Sequence, residues 1–291
     1  MASVDSDSRS GAKLDSRSHA KLALVIGNNS YSKHPLTNCV NDATDLSDTL
    51  RKIGFDVELG IDCNYQKMTQ LVEAFADRIN DQDLVLFYFS GHGVQWQEQN
   101  YLLPVDADEK VKKEIDLKWS AISAQRTVEL FSSQTFYVTV FILDCCRKYL
   151  VENQLKFRDF QGGAGLHLMK APGGSLIQFA CDAGALASDG CGITDRNGLY
   201  TKHLLQHIAT PNKELDKIFS AAAAGVYRES NRKQQPFRVS SIMVDEPIYL
   251  HTENKIIYEN LGDSLPTMKP ETVREVVAVL VSSQSTFFLS S

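Results

Sequence analysis

The chain has 291 residues, 43% hydrophobic and 23% charged, with a formal net charge of -6. That is a globular composition with room for one large α/β domain or two modest ones, and an acidic balance without any basic block argues against a nucleic-acid surface. No apolar run approaches the roughly 18 residues of a membrane helix, and the polar start, Met1 to Arg17, does not read as a signal peptide. Six cysteines, at 39, 63, 145, 146, 181 and 191, form neither a C-x-x-C pair nor a disulfide framework, so reduced thiols in a cytoplasmic setting are expected.

Residues 1–20 are polar, charged and aperiodic, and read as a disordered leader. Leu22 to Gly27 reads as a short buried strand closed by a Gly-Asn-Asn turn that lacks the pattern of a phosphate loop. A helix is expected from a cap at Asn41, with Leu46, Leu50 and Ile53 on one face and Gly54 as its stop. A strand over Phe55–Leu59 and a helix over 66–79 follow, the latter striped by Met68, Leu71, Val72, Phe75 and Ile79. Leu84–Phe89 is a buried strand entering a Gly-rich turn, Ser90-Gly91-His92-Gly93. After it come a short strand from Tyr101 to Asp106, a helix around 121–131 and the buried strand Val140–Leu143. Residues 148–174 break the rhythm with basic residues and Gly-Gly pairs, and read as an exposed connection open to self-cleavage. Ser175–Cys181 is another buried strand, helices are expected near 198–209 and 212–227, and a strand or hairpin over 236–250. A tail over 251–291 holds one helical pattern, Glu271 to Val281. Strands alternating with helices in this way imply a mostly parallel, doubly wound α/β sheet.

Chemistry in such sheets gathers beyond the carboxyl ends of the strands. Two strand ends carry the relevant groups: His92 between two glycines, and Asp144-Cys145-Cys146-Arg147. If these strands are parallel neighbours, a histidine and a cysteine meet there as base and nucleophile.

The motifs Ser90-Gly91-His92-Gly93, Tyr101-Leu102-Leu103-Pro104-Val105-Asp106 and Leu143-Asp144-Cys145-Cys146-Arg147 resemble those of the caspase-like cysteine proteases, with the Cys-Arg-Lys ending closer to paracaspases than to metacaspases. The resemblance spans roughly 22–245. It implies a caspase-like three-layer sandwich, a mostly parallel central sheet flanked by helices. Residues 21–147 would correspond to a large-subunit-like catalytic region, 148–174 to a flexible linker and 175–250 to a small-subunit-like region. It makes Cys146 the nucleophile, two positions after the strand-end aspartate, with Cys145 a packed small side chain. His92 becomes the base, and the backbone N–H groups of Gly93 and Cys146 the oxyanion donors.

Asp42 and Asp144 match the two acidic positions of the family's substrate pocket, and two carboxylates there favour arginine or lysine in the substrate. Asp42 has a bland alternative as a helix-start acid. A third acid, Asp182 or Asp189, could join from the loop after Cys181. Trp96 could line a substrate groove or be a plain loop aromatic, and His203 and His207, spaced i, i+4, read as a helix-surface pair rather than a metal site. The expected activity is a cysteine endopeptidase that cuts protein or peptide substrates after Arg or Lys. No cofactor is implied, and nothing indicates a calcium requirement. The resemblance allows a homodimer through the small-subunit-like region, with no nucleic-acid or membrane partner. The competing readings are a catalytically silent scaffold for signalling assembly and a small-molecule thiol hydrolase.

Overall fold

The structure, a computed structural model, describes residues 20–134, 137–146, 169–181 and 195–253. The expected leader, most of the connection at 148–174, Asp182, Asp189 and nearly all of the tail lie outside these residues.

In chain order the elements are β1 (Lys21–Gly27), α1 (Cys39–Lys52), β2 (Asp56–Ile61), α2 (Tyr65–Ala76), β3 (Leu84–Trp96) and β4 (Gln99–Leu102). Next come the short helices α3 (Ala107–Lys110) and α4 (Leu117–Ser120), then β5 (Ile122–Ser123), α5 (Ala124–Ser132) and β6 (Val138–Cys146). The last four are β7 (Ser175–Phe179), α6 (Leu199–Leu205), α7 (Leu215–Glu229) and β8 (Phe237–Ser240). The main sheet runs β2-β1-β3-β6-β7-β8, with every neighbouring pair parallel except β7 and β8. The chain winds outward from β1 to β2 and then crosses back to β3, so the winding direction reverses between β1 and β3. Such a reversal opens a crevice beyond the strand ends.

Alternation along the central strands supplies two apolar faces. Leu84, Leu86 and Tyr88 of β3 join Val138, Val140 and Ile142 of β6 against α1, α6 and α7, through Leu46, Leu50, Leu204, Ile218 and Phe219. Val85, Phe87 and Phe89 join Phe141 and Leu143 against α2 and α5, through Met68, Phe75, Val128 and Phe131. Phe87 stacks on Phe141 at 4.4 Å and meets Phe131 edge-on at 5.9 Å. Each such fully buried side chain stabilises the fold by about 1.5–3 kcal/mol. The result is the three-layer sandwich that the sequence implied.

Two expectations need correcting. The first helix begins at Cys39 with Asn38 as its cap, not at Asn41. Asn41 lies inside the first turn, and its side chain donates to the Arg196 carbonyl at 3.1 Å. The second concerns the Gly-rich stretch around His92, which is not a turn. β3 continues through it to Trp96, leaves the edge of the main sheet and pairs antiparallel with β4, Gly93 opposite Leu102 and Trp96 opposite Gln99. The hairpin turn falls at Gln97 and Glu98, both left-handed with φ of 48° and 59°. The usual Asn-Gly signal of such a turn is missing, which hid it from pattern reading. A third apolar cluster, including Tyr31, Val94, Tyr101, Leu103 and Leu117, packs this hairpin. Among the described residues no helix is long and apolar enough to cross a membrane.

Candidate active site

β3 and β6 are adjacent parallel strands in unbroken register from Leu84 opposite Val138 to His92 opposite Cys146. One ladder spacing, roughly 4.8 Å, therefore separates the backbones of these two positions. They lie beyond the carboxyl end of the sheet, beside the crevice between β1 and β3.

The chain from Asn28 to Asn38 arches over His92. Gly27 permits this path: a Cβ there would stand 2.2 Å from the Cys39 carbonyl oxygen and 2.6 Å from the Ala43 Cβ, so only glycine lets α1 start this close to β1. The arch is held at several points. Asp62 accepts from the Asn29 and Ser30 N–H groups at 2.7 and 2.9 Å, and Asp108 from the Lys33 N–H at 2.7 Å. It carries the His34 carbonyl to 2.7 Å from Nε2 of His92, which is only 1% exposed. A carbonyl can only accept, so Nε2 carries a proton there. In the neutral ring, Nδ1 is then the basic nitrogen.

The acids come from different elements onto one spot. Asp42, in the first turn of α1, is 1% exposed; Asp144, near the end of β6, is 7% exposed. A Cβ built on Gly198 would stand 3.0 Å from Asp42 Oδ2 and 3.8 Å from Asp144 Oδ2, so both carboxylates converge on this glycine. Asp42 accepts from the Gly198 N–H at 2.9 Å and, more distantly, from the Ser90 hydroxyl at 3.4 Å. Asp144 accepts from the Thr201 hydroxyl at 2.8 Å and the Tyr88 phenol at 3.4 Å. Burial, reinforced by Asp144 and then Asp42, pushes the Tyr88 phenol well up, so it stays protonated and able to donate. Asp45, one turn along α1 from Asp42, takes Arg196 through Nε and Nη2 at 2.8 and 2.7 Å and Asn197 at 3.0 Å. This clasp fixes the segment that delivers Gly198.

Cys145 is buried in the face that packs on α2 and α5. Burial, with smaller contributions from Asp144 and from Cys181 and Cys39, pushes its thiol well up, the opposite of what a nucleophile needs.

Pattern reading found His92, Cys146, Asp42 and Asp144, and the structure brings all four positions to one end of the sheet. It missed Tyr31, Thr201 and Gly198, and the contact of the motif residue Ser90 with Asp42. None of these titrates near neutrality, and each matters through a contact distant in sequence. A Cβ at Gly91 would lie 2.7 Å from the Tyr31 hydroxyl. Trp96 is half-buried in the hairpin, with Lys118 Nζ 5.3 Å from its ring centroid. His203 Nε2 pairs with Glu229 at 2.8 Å with only 12% of its side chain exposed, and His207 lies past the end of α6, so the expected pair on one helix surface is not what forms. Among the described residues no cluster of three His, Cys, Asp or Glu side chains is placed to hold a metal ion. A cavity of about 240 Å³ lies on the other face of the sheet, between α2 and α5, away from the acids.

Residues 20–246 match the family model for the caspase domain, Peptidase_C14. Over 129 residues the chain is 31% identical to the mouse homolog of mucosa-associated lymphoid tissue lymphoma translocation protein 1 and 30% identical to the human protein. Each match covers 44% of this chain and 15% of the relative, so the similarity spans a small part of those longer proteins. The crystal structure of protein GSU0716 from Geobacter sulfurreducens superposes with a TM-score of 0.55 at 15% identity, covering 80% of this chain and 98% of that one. At that identity the likeness concerns the fold alone.

Proposed function

Because the chain belongs to the caspase-domain family of peptidases, we propose that it is a cysteine endopeptidase, resembling the paracaspases, that cuts proteins after arginine or lysine. The observation that carries this reading is the register of His92 with Cys146 beside two carboxylates that converge on Gly198.

In this reading Nδ1 of His92 takes the Cys146 thiol proton and the thiolate attacks the scissile carbonyl carbon. The backbone N–H groups of Gly93 and Cys146 receive the oxyanion. As the tetrahedral intermediate collapses, His92 returns the proton to the departing amine and a thioester remains. Water, deprotonated by His92, then releases the acid and the thiol. Asp42 and Asp144 bind the substrate's basic side chain, and arginine gains over lysine because its planar fork can pair two oxygens at once. By family resemblance, two copies would pair edge to edge through β8 in the cytoplasm.

The test is hydrolysis of matched peptides ending in arginine, lysine or aspartate, by wild type and Cys146→Ala. Arginine cleavage that disappears in the variant is expected. Cleavage only after aspartate would overturn the assignment of the acids. Silence on all three peptides, with and without calcium and at high protein concentration, would favour a silent scaffold.

A further inference from the structure

In an antiparallel ladder, directly opposed residues of one kind exchange two hydrogen bonds, each N–H to the other's carbonyl. With Gly93 opposite Leu102, the next such position pairs His92 with Leu103. Only half of that exchange is present: the Leu103 N–H donates to the His92 carbonyl at 2.9 Å. In place of the other half stands a phenol. The His92 N–H donates to the Tyr31 hydroxyl at 3.0 Å, and that hydroxyl donates to the Leu103 carbonyl at 2.9 Å. The Tyr31 ring lies against the imidazole, centroids 4.4 Å apart and planes at 54°.

We infer that Tyr31 is a positioning residue for the catalytic base: its hydroxyl is wedged into the β3–β4 ladder at His92 and its ring seats the imidazole. The inference rests on the dyad reading above and adds to it the device that aims the base. Without the hydroxyl, the His92 N–H and the Leu103 carbonyl can close on each other directly, drawing the histidine backbone toward β4. That movement pulls Nε2 off the His34 carbonyl, and with it the proton arrangement that makes Nδ1 basic.

Three further features fit this role. Tyr31 is 2% exposed, and burial holds its phenol well above its ordinary pKa, so the hydroxyl keeps the proton it donates. The arch that carries it is the same one that carries the His34 carbonyl, so both contacts to the histidine move together. Gly91 is shaped for it as well, since any side chain at 91 would meet the Tyr31 hydroxyl and Phe89 Cζ at 2.7 Å.

The experiment compares wild type, Tyr31→Phe, Gly91→Ala, the double variant and Tyr227→Phe, an exposed-tyrosine control. It reads kcat and KM on the arginine peptide, and the pH dependence of Cys146 alkylation by iodoacetamide, located by mass spectrometry. Tyr31→Phe keeps the ring and removes one hydroxyl; we expect kcat to fall about tenfold, the upper range for one neutral hydrogen bond. KM should stay within about twofold, and the alkylation profile should shift because the imidazole partner of the thiolate has moved. Tyr227→Phe should match wild type. Gly91→Ala should be the more damaging single change, and adding Tyr31→Phe should return part of its loss, a non-additivity expected of groups in contact.

Wild-type kcat and alkylation profile in Tyr31→Phe, or strictly additive losses in the double variant, would overturn the positioning role. So would a loss that merely tracks the unfolded fraction. Cys146→Ala separates the two levels: if it still cleaves, the dyad reading falls and this inference falls with it. If it is dead while Tyr31→Phe is unaffected, only this inference falls.

Discussion

Replacing Asp42 by asparagine separates its two roles, anchor and charge. The carboxylate accepts the Gly198 N–H at 2.9 Å and sits 3.4 Å from the Ser90 hydroxyl. An asparagine of the same shape keeps an oxygen for Gly198 and points an amide at a hydroxyl that can accept. The fold should therefore lose no more than about 1 kcal/mol. A bound guanidinium loses a charge-assisted partner, worth about 1.5–3 kcal/mol, which is about 10- to 150-fold in kcat/KM. The assay is kcat/KM on an arginine peptide and on the same peptide with citrulline, its neutral near-isostere, alongside the thermal midpoint. Arginine should lose its advantage while citrulline changes by less than about twofold. Equal losses on both peptides would refute the pocket role and leave Asp42 as an anchor for the start of α6.

Other consequences are as specific. Thr201→Val removes a hydroxyl lying 2.8 Å from Asp144 and 2.6 Å from the Tyr88 phenol, all buried, and should cost about 1–3 kcal/mol in urea unfolding; a change below about 0.5 kcal/mol would mean the network relaxes freely. Cys145→Ala should keep arginine cleavage and cost about 1 kcal/mol of stability, with the native Cys145 thiol resisting alkylation at neutral pH; loss of activity with the fold intact would reopen the choice of nucleophile. Asp45 is held below its ordinary value of 3.8, chiefly by its hydrogen bonds to Arg196. A depressed carboxylate stabilises the fold above its unfolded pKa and stops doing so once pH falls through the folded one. The stability gap between wild type and Asp45→Asn should then be small but steady above pH 3.8 and close below it. A gap that widened in acid would contradict the pairing.

The parts of this molecule that pattern reading caught share one property: their reasons are local. Four apolar residues before Asp144 make a strand buried on both faces whatever surrounds it, and Leu46 and Leu50 mark the buried side of α1 by spacing alone. The positions of Asp42, His92, Asp144 and Cys146, which fall at one end of the sheet, were singled out through short motifs. Where the reason lay across the chain, the reading failed. Nothing near Ser90-Gly91-His92-Gly93 says that the strand runs on, because its partner β4 arrives by a turn at Gln97 and Glu98, both of which have side chains that disfavour such a turn. The Asn38 side chain makes no capping bond to α1, so the stronger-looking Asn41 drew the boundary. Thr201 and Gly198 sit more than fifty residues beyond Asp144, and only the folded sheet brings them to it.

The register between β3 and β6 has one more consequence, for how such a machine can be turned on or off. His92 and Cys146 face each other across one rung at the carboxyl ends of the two central strands, whose separation would open the core of the sheet and is correspondingly rare. Asp144 shares that support as part of β6, whereas Asp42 is tied to Gly198. Gly198 arrives on a short segment fastened to α1 by an exposed Arg196–Asp45 clasp, a kind of contact that contributes at most about 1 kcal/mol. In the proposed reading, the dyad and the Asp42 side of the substrate pocket are thus mounted on supports of different stiffness. If the proposed function holds, a partner or cut that loosened the clasp would change which side chain is accepted well before it changed the cleavage step.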